Sequence, residues 1–203
     1  MSNASRSTYH HGALRPALIA AAREMLANDG PGAVSLREVA RRVGVSATAT
    51  YRHFQDKEHL LAAVAAEGFS EFAERLKAAG AREFSGMGVA YLEFAIAYPG
   101  LFRLMFGPLL KERDKYSELA SAADASFFVL LDGAKRFVGG QDADVETTAY
   151  AAWSFSHGLA RLVIDDVIPA EQGFRICRAA PSPRVDFEMS QRAAALTPPA
   201  LTP

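Results

Sequence analysis

Residues 35–60, SLREVARRVGVSATATYRHFQDKEHL, constrain this chain more than any other stretch. Leu36, Val39, Ala40 and Val43 recur at i, i+3, i+4 and i+7, which is one apolar face of a short helix. Ser35 can cap that helix, and Glu38 three residues on completes a capping box. Gly44 falls where the chain must turn sharply, and glycine takes positive φ without steric cost. Ser46 can cap a second short helix, and the small Ala40 suits a close crossing of the pair. Any α-hairpin can carry glycine in its turn. The order small residue, Gly, Val, polar cap is more specific, and it points to a helix-turn-helix that reads DNA.

A net charge of −1 over 203 residues argues against a nucleic-acid binder until the chain is split. Residues 1–60 hold 8 Lys/Arg and 5 Asp/Glu, together with four of the five histidines. The remainder holds 14 Lys/Arg and 18 Asp/Glu. A basic head on an acidic body suits DNA contact at one end. Half the residues are hydrophobic, enough for a sizeable core. The single cysteine, Cys177, allows no internal disulfide and fits a reducing, cytoplasmic setting. No apolar run of about 18 residues exists, so no membrane span is expected.

Helical periodicity dominates, and an all-α fold is predicted. Leu14, Leu18, Ala21, Met25 and Leu26 mark an opening helix that ends near Asn28-Asp29-Gly30. Asp56 can cap a fourth helix that runs to about Gly80. Further helices are expected over 82–97, 101–106, 112–138 and 142–167, with a stop at Pro169. Prolines interrupt the last 35 residues, where 185–196 could form one more helix and the final TPPALTP a loose tail.

The first 75 residues resemble the DNA-binding domain of the TetR family of bacterial transcriptional regulators. The carrying residues are ALRPALIAAAREMLANDG, then SLREVARRVGVS, then Tyr51, His53, Phe54, Lys57, Glu58 and Leu60. Tyr9-His10-His11-Gly12, YPGLFRLMF (98–106) and Trp153 with His157-Gly158 resemble the branch whose regulatory domain is called WHG. The resemblance implies a helix-turn-helix domain over 9–60 (motif 35–54), a connecting helix over 56–79, and a helical regulatory and dimerisation domain over 80–196. Thr48 and Thr50 depart from the glycine and apolar residue often found there in the family. The region after Pro169 lacks the pattern expected of the family's last dimerisation helix.

In such a motif the second short helix, about 46–52, enters the major groove. Ala47, Thr48, Thr50 and Tyr51 are then its exposed residues, and threonine can hydrogen-bond base edges. Ser35 and Ser46 sit at helix N-termini, which favour phosphate. Tyr51, His53 and Lys57 are the expected phosphate contacts. Among Arg37, Arg41 and Arg42, Arg37 is the one expected to face the duplex. Phe54 is expected in the core, and His53 could equally pack locally.

The resemblance further implies a repressor that binds a palindromic operator in double-stranded DNA as a homodimer and is released by a small apolar or amphipathic ligand. Candidate pocket residues are Tyr91, Phe94, Phe102, Phe106, Phe127, Phe128, Trp153 and His157, although aromatic stripes of this kind more often form core. No cofactor, metal or membrane partner is expected. No metal-ligand cluster, phosphate-binding glycine loop or Gly-x-Ser-x-Gly elbow is present, so an enzyme is not expected. The competing reading is a helical interaction or ligand-binding protein that never touches DNA.

Overall fold

The computed structural model describes residues 14–107, 111–139 and 142–179, with the side chains of 142–144 excepted. Tyr9–Gly12 and the helix expected over 185–196 lie outside the described residues. Within them the chain is helical, with no strand. The helices are α1 Leu14–Asp29, α2 Leu36–Val43, α3 Ala47–Tyr51, α4 Lys57–Gly80, α5 Phe84–Ala97, α6 Pro99–Phe106, a 3-10 turn Arg113–Lys115, α7 Ser117–Val138, α8 Asp142–Ile164 and α9 Ala170–Ala179. No single described helix is long and apolar enough to cross a membrane.

Three helix starts in the first 60 residues are made as the sequence suggests. The Ser35 Oγ accepts from the Glu38 backbone N–H at 3.2 Å, Ser46 Oγ from Ala49 at 3.2 Å, and an Asp56 carboxylate oxygen from His59 at 2.9 Å. Gly44 ends α2 in the left-handed region, at φ 78°. The capping box at Ser35 is only half made. Glu38 gives its carboxylate to Arg41 instead, 2.5 Å away, because a charge-assisted bond to a guanidinium outcompetes a neutral backbone N–H.

α4 is the spine. Its first turns bury Leu60, Leu61 and Val64 in the core shared with α1, and its second half buries Phe69, Phe72 and Leu76 among α5, α6 and α7. A single buried cluster runs from Leu14 to Cys177, so head and body share one core. At the joint, Glu71 of α4 accepts from Arg23 of α1 (2.5 Å) and from Arg75 (2.8 Å), and Arg75 also donates to the Tyr98 hydroxyl at 3.1 Å. The Arg23 guanidinium lies 4.9 Å over the Tyr98 ring. A second joint forms where the start of α7 meets the head. Arg15 pairs with Glu118 at 2.5 Å, and the Tyr116 hydroxyl donates to Glu58 at 2.9 Å.

α9 was not expected from sequence, because it is only ten residues long and its apolar face is confined to Phe174, Ile176 and Cys177. It docks closely on α5 and α8 through small residues. A Cβ added at Gly173 would stand 2.6 Å from Val163 Cγ2, and Cys177 is buried beside Gly88.

Candidate nucleic-acid interface and the cavity behind it

α3 is five residues long, so its exposed face is short. Thr48, Tyr51 and Arg52 (i, i+3, i+4) point outward, and Tyr51 is 53% exposed. Ala47 is half-buried. Thr50 corrects the sequence expectation: it is 0% exposed. Its position, three residues after Ala47 and four before the buried Phe54, turns it toward the core under the helix. Its Oγ1 has no hydrogen-bond partner among the described residues, while its carbonyl accepts from the backbone of His53 and Phe54 at 3.0 Å each. Of the two unusual threonines, only Thr48 faces outward.

The positive charges around α3 divide cleanly. Arg41 is held by Glu38, and that hydrogen bond keeps the Glu38 carboxyl below the usual carboxylate range. Arg42 lies 3.6 Å from Glu24 and 3.8 Å from Asp29. Arg37 and Arg52 are exposed and make no ion pair with another described residue. Sequence reasoning passed over Arg52, although its place at the end of α3 beside Tyr51 marks it. His53 is exposed. Lys57, at the start of α4, reaches across to donate to the Pro31 carbonyl at 2.7 Å. That bond fixes the ammonium at the α1–α2 turn, near the N-terminus of α2 where Ser35 stands. The hydroxyls of both Ser35 and Ser46 already accept from their own helices, and each keeps its O–H to donate.

Behind the head a cavity of about 580 Å³ opens between α4, α5, α7 and α8. Phe69, Phe72 and Leu76 come from α4, Met87, Gly88 and Tyr91 from α5, Phe106 from α6, Phe127 and Leu130 from α7, and Tyr150, Trp153 and Ser156 from α8. Arg113 and Asp124 also line it, as does Cys177, whose burial pushes its thiol up from the ordinary value. Of the expected pocket residues, Tyr91, Phe106, Phe127 and Trp153 line the cavity. Phe94 and Phe102 are fully buried in the layer behind the lining, where they brace the Phe72 and Tyr91 rings. Phe128 is a correction. It is 64% exposed and turned away from the cavity, because only Phe127 of the adjacent pair can face inward on a helix.

His157 also stands behind the lining, stacked on Phe102 with centroids 5.3 Å apart. The Trp153 indole N–H donates to the Tyr91 oxygen at 3.2 Å, and Tyr91 meets His157 Nδ1 at 2.9 Å. Indole is a donor only, so the Tyr91 oxygen accepts from Trp153 and shares a second hydrogen bond with His157 Nδ1. Desolvation, and then the nearby Arg161 charge, hold His157 below its ordinary pKa, while burial drives the Tyr91 hydroxyl well above its own. These bonds engage the polar atoms of Tyr91 and Trp153, the two of the three that line the cavity. Phe69, Phe72, Met87 and Arg113 were missed in sequence because they come from three elements that only the packing brings together. Among the described residues no group of three or more His, Cys, Asp or Glu side chains could hold a metal ion.

The sequence matches the pattern of bacterial regulatory proteins of the tetR family over residues 18–64, and that of the tetracyclin repressor-like C-terminal domain over residues 84–173. No curated relative matches it. A protein of unknown function from Rhodococcus sp. RHA1 is 31% identical in sequence and superimposes with a TM-score of 0.68, covering 83% of this chain and 93% of that one. A tetR-family transcriptional regulator from Streptomyces coelicolor is 24% identical, with a TM-score of 0.64 and coverage of 89% and 88%. A TetR/AcrR regulator from Thermobifida fusca is 21% identical, with a TM-score of 0.61 and coverage of 82% and 97%. A capped helix-turn-helix over the first pattern and a hollow helical body over the second make this chain a DNA-binding transcriptional regulator of the TetR family.

Proposed function

We propose that the protein is a cytoplasmic repressor that binds a near-palindromic operator as a homodimer and releases it when a small apolar ligand fills the cavity. The observation that carries this reading is the position of α4. Its first residue, Lys57, adjoins the reading head, and Phe69, Phe72 and Leu76 farther along it wall the cavity. A ligand that moves α4 therefore acts on both sites. By linkage the operator must lower ligand affinity by the factor through which the ligand lowers operator affinity.

Thr48 and Tyr51 read or seat the duplex, with Ala47 beside them at the front of α3. Arg37, His53 and Lys57, joined by Arg52, supply phosphate contacts, and Ser35 and Ser46 present helix N-termini to the backbone. Head domain 9–60 and body domain 80–196 divide these tasks. The dimer face lies on α8, where Ala151, Phe155, Gly158 and Leu162 repeat with spacings of 4, 3 and 4. Phe155 and Leu162 remain 42% and 43% exposed, and a Cβ at Gly158 would meet nothing within 4 Å in its own chain. Such a seam suits a second α8 laid against it. Two heads would then address half-sites about 34–36 Å apart, or a multiple of that.

Selection of bound duplexes from a random pool tests the reading. A palindrome with that half-site spacing is the expected result, and recovery of no common sequence overturns it. On the selected site, Lys57→Ala should flatten the salt dependence by about one unit, with sequence preference unchanged.

A further inference from the structure

We propose that the cavity takes an apolar molecule with one anionic head group, that Arg113 binds this head group, and that the turn carrying Arg113 reports occupancy to the head through Tyr116 and Glu118. The proposal rests on the ligand-released reading above and names the ligand class and the transmitting contacts.

The inner wall carries no charged side chain. Tyr91 and Trp153 are engaged with each other and with His157, the Ser126 hydroxyl donates to the Ala123 carbonyl at 2.7 Å, and Ser156 brings only a neutral hydroxyl. A charged end must therefore stay at the rim, where Arg113 and Asp124 are the two ionisable side chains of opposite sign. They are not equivalent. Asp124 is exposed, where an ion pair contributes little. Arg113 is half-buried, with its guanidinium 5.7 Å over the Phe69 ring, and it makes no ion pair with another described residue. A guanidinium partly removed from water and lacking a carboxylate gains most from an incoming anion. Phe69 beneath it belongs to the cavity wall, so the anion and its apolar tail would be held by adjoining groups.

Arg113 opens the 3-10 turn that leads into α7. The Arg113 carbonyl accepts from the Tyr116 backbone N–H at 2.8 Å. Tyr116 in turn donates through its hydroxyl to Glu58 at 2.9 Å and sets its ring edge-on to His59, with centroids 5.2 Å apart. Glu118, two residues on, pairs with Arg15 of α1. Pulling Arg113 toward an anion thus loads the same short segment that clasps α1 and the start of α4.

The test uses the full chain and three probes that share a ten-carbon tail: decanoate, decanol and decyltrimethylammonium. Binding is followed by calorimetry and by the emission of Trp153, the single tryptophan. Decanoate should bind about tenfold or more tighter than decanol, as expected for one charge-assisted contact. Arg113→Met should erase that preference while leaving decanol binding and the melting temperature unchanged, and Arg113→Lys should restore part of it. Asp124→Asn should leave the preference intact or raise it. Equal binding of decanoate and decanol, tighter binding of the ammonium, a preference that survives Arg113→Met, or no binding of any probe overturns the head-group assignment. On the selected operator, decanoate should weaken DNA binding by the wild type and not by Tyr116→Phe. Decanoate that binds through Arg113 yet leaves operator affinity untouched overturns the relay and the release reading together, and leaves the Arg113 assignment standing.

Discussion

In the head, α2, α3 and α4 each begin at a side chain that accepts from its own first turn: Ser35, Ser46 and Asp56. In the body, α5, α6 and α7 begin at Glu83, Tyr98 and Tyr116 with no side-chain cap at all. Capping fixes where a helix starts using atoms three residues apart, before any tertiary contact forms. The uncapped helices are held by what they pack against, as when Tyr98 is gripped by Arg23 and Arg75. The head is thus specified locally, which suits a surface that must present the same few atoms to every operator. The body is specified by packing, and packing that leaves 580 Å³ unfilled can rearrange around a guest.

The largest effect that tests this contrast is in the body. Phe72 is 3% exposed and meets Tyr91, Phe94 and Phe106 with ring centroids 4.9, 5.1 and 6.1 Å away. Phe72→Ala should cost about 3–5 kcal/mol in denaturant unfolding, since it removes a ring and enlarges a void. A cost below about 1 kcal/mol would mean that the wall collapses freely, and the cavity would not be a fixed feature.

Two glycines sharpen the contrast next. A Cβ at Gly44 or at Gly158 would meet nothing within 4 Å. Their backbones differ: Gly44 sits at φ +78°, whereas Gly158 lies inside α8. Gly44→Ala should destabilise by about 1–2 kcal/mol through left-handed strain alone. Gly158→Ala should favour α8 by up to about 1 kcal/mol in the monomer. If α8 pairs with α8 at that point, the added methyl weakens the dimer, and sedimentation should show dissociation at higher concentration. Unaltered association would move the dimer face elsewhere.

The same division decided what the sequence could reveal. Ser35, Ser46, Asp56 and Gly44 announce themselves, because cap and turn chemistry is written within four residues. Tyr91, Phe106, Phe127 and Trp153 were legible as aromatics at helical spacing. That spacing could not say which side of a wall Phe94 and Phe102 occupy, nor that Phe128 faces out while Phe127 faces in. Arg113 carries no local signature at all, since its place on the cavity comes from its seat over Phe69, more than forty residues away. α9 hid for a related reason: it is ten residues long, and the close approach at Gly173 and Cys177 that seats Phe174 and Ile176 is a matter of packing.

Glu71 stands on the joint between the two regimes. Burial alone would raise its carboxyl, but hydrogen bonds from Arg23 and Arg75 outweigh that and hold it below the ordinary value of 4.5. A carboxylate depressed in the folded state stabilises fully above its unfolded pKa, and that contribution is lost as pH falls through the folded value. Glu71→Gln should therefore cost about 1 kcal/mol at pH 7. The gap from wild type should shrink as pH drops below about 4.5. A gap independent of pH across that window would assign the effect to packing instead of charge.

The smallest predicted effect separates two neighbouring threonines. Both were expected on the reading surface, yet only Thr48 is exposed, while Thr50 is buried with a hydroxyl that has no partner among the described residues. A buried orphan hydroxyl is a liability, so Thr50→Val, which keeps the branched shape, should be neutral or stabilising by up to about 1 kcal/mol. It should leave the selected operator sequence unchanged, because the side chain touches no solvent. Thr48→Ala should do the reverse. Stability holds, since an exposed threonine contributes little to a five-residue helix, while the preference at one base-pair position in each half-site relaxes. Repeating the duplex selection with each variant reads both outcomes. A shifted operator for Thr50→Val would mean that α3 turns on its axis when it enters the groove. The reading face would then be set by DNA as well as by the cap at Ser46, and the local specification of the head would be incomplete at the helix that matters most.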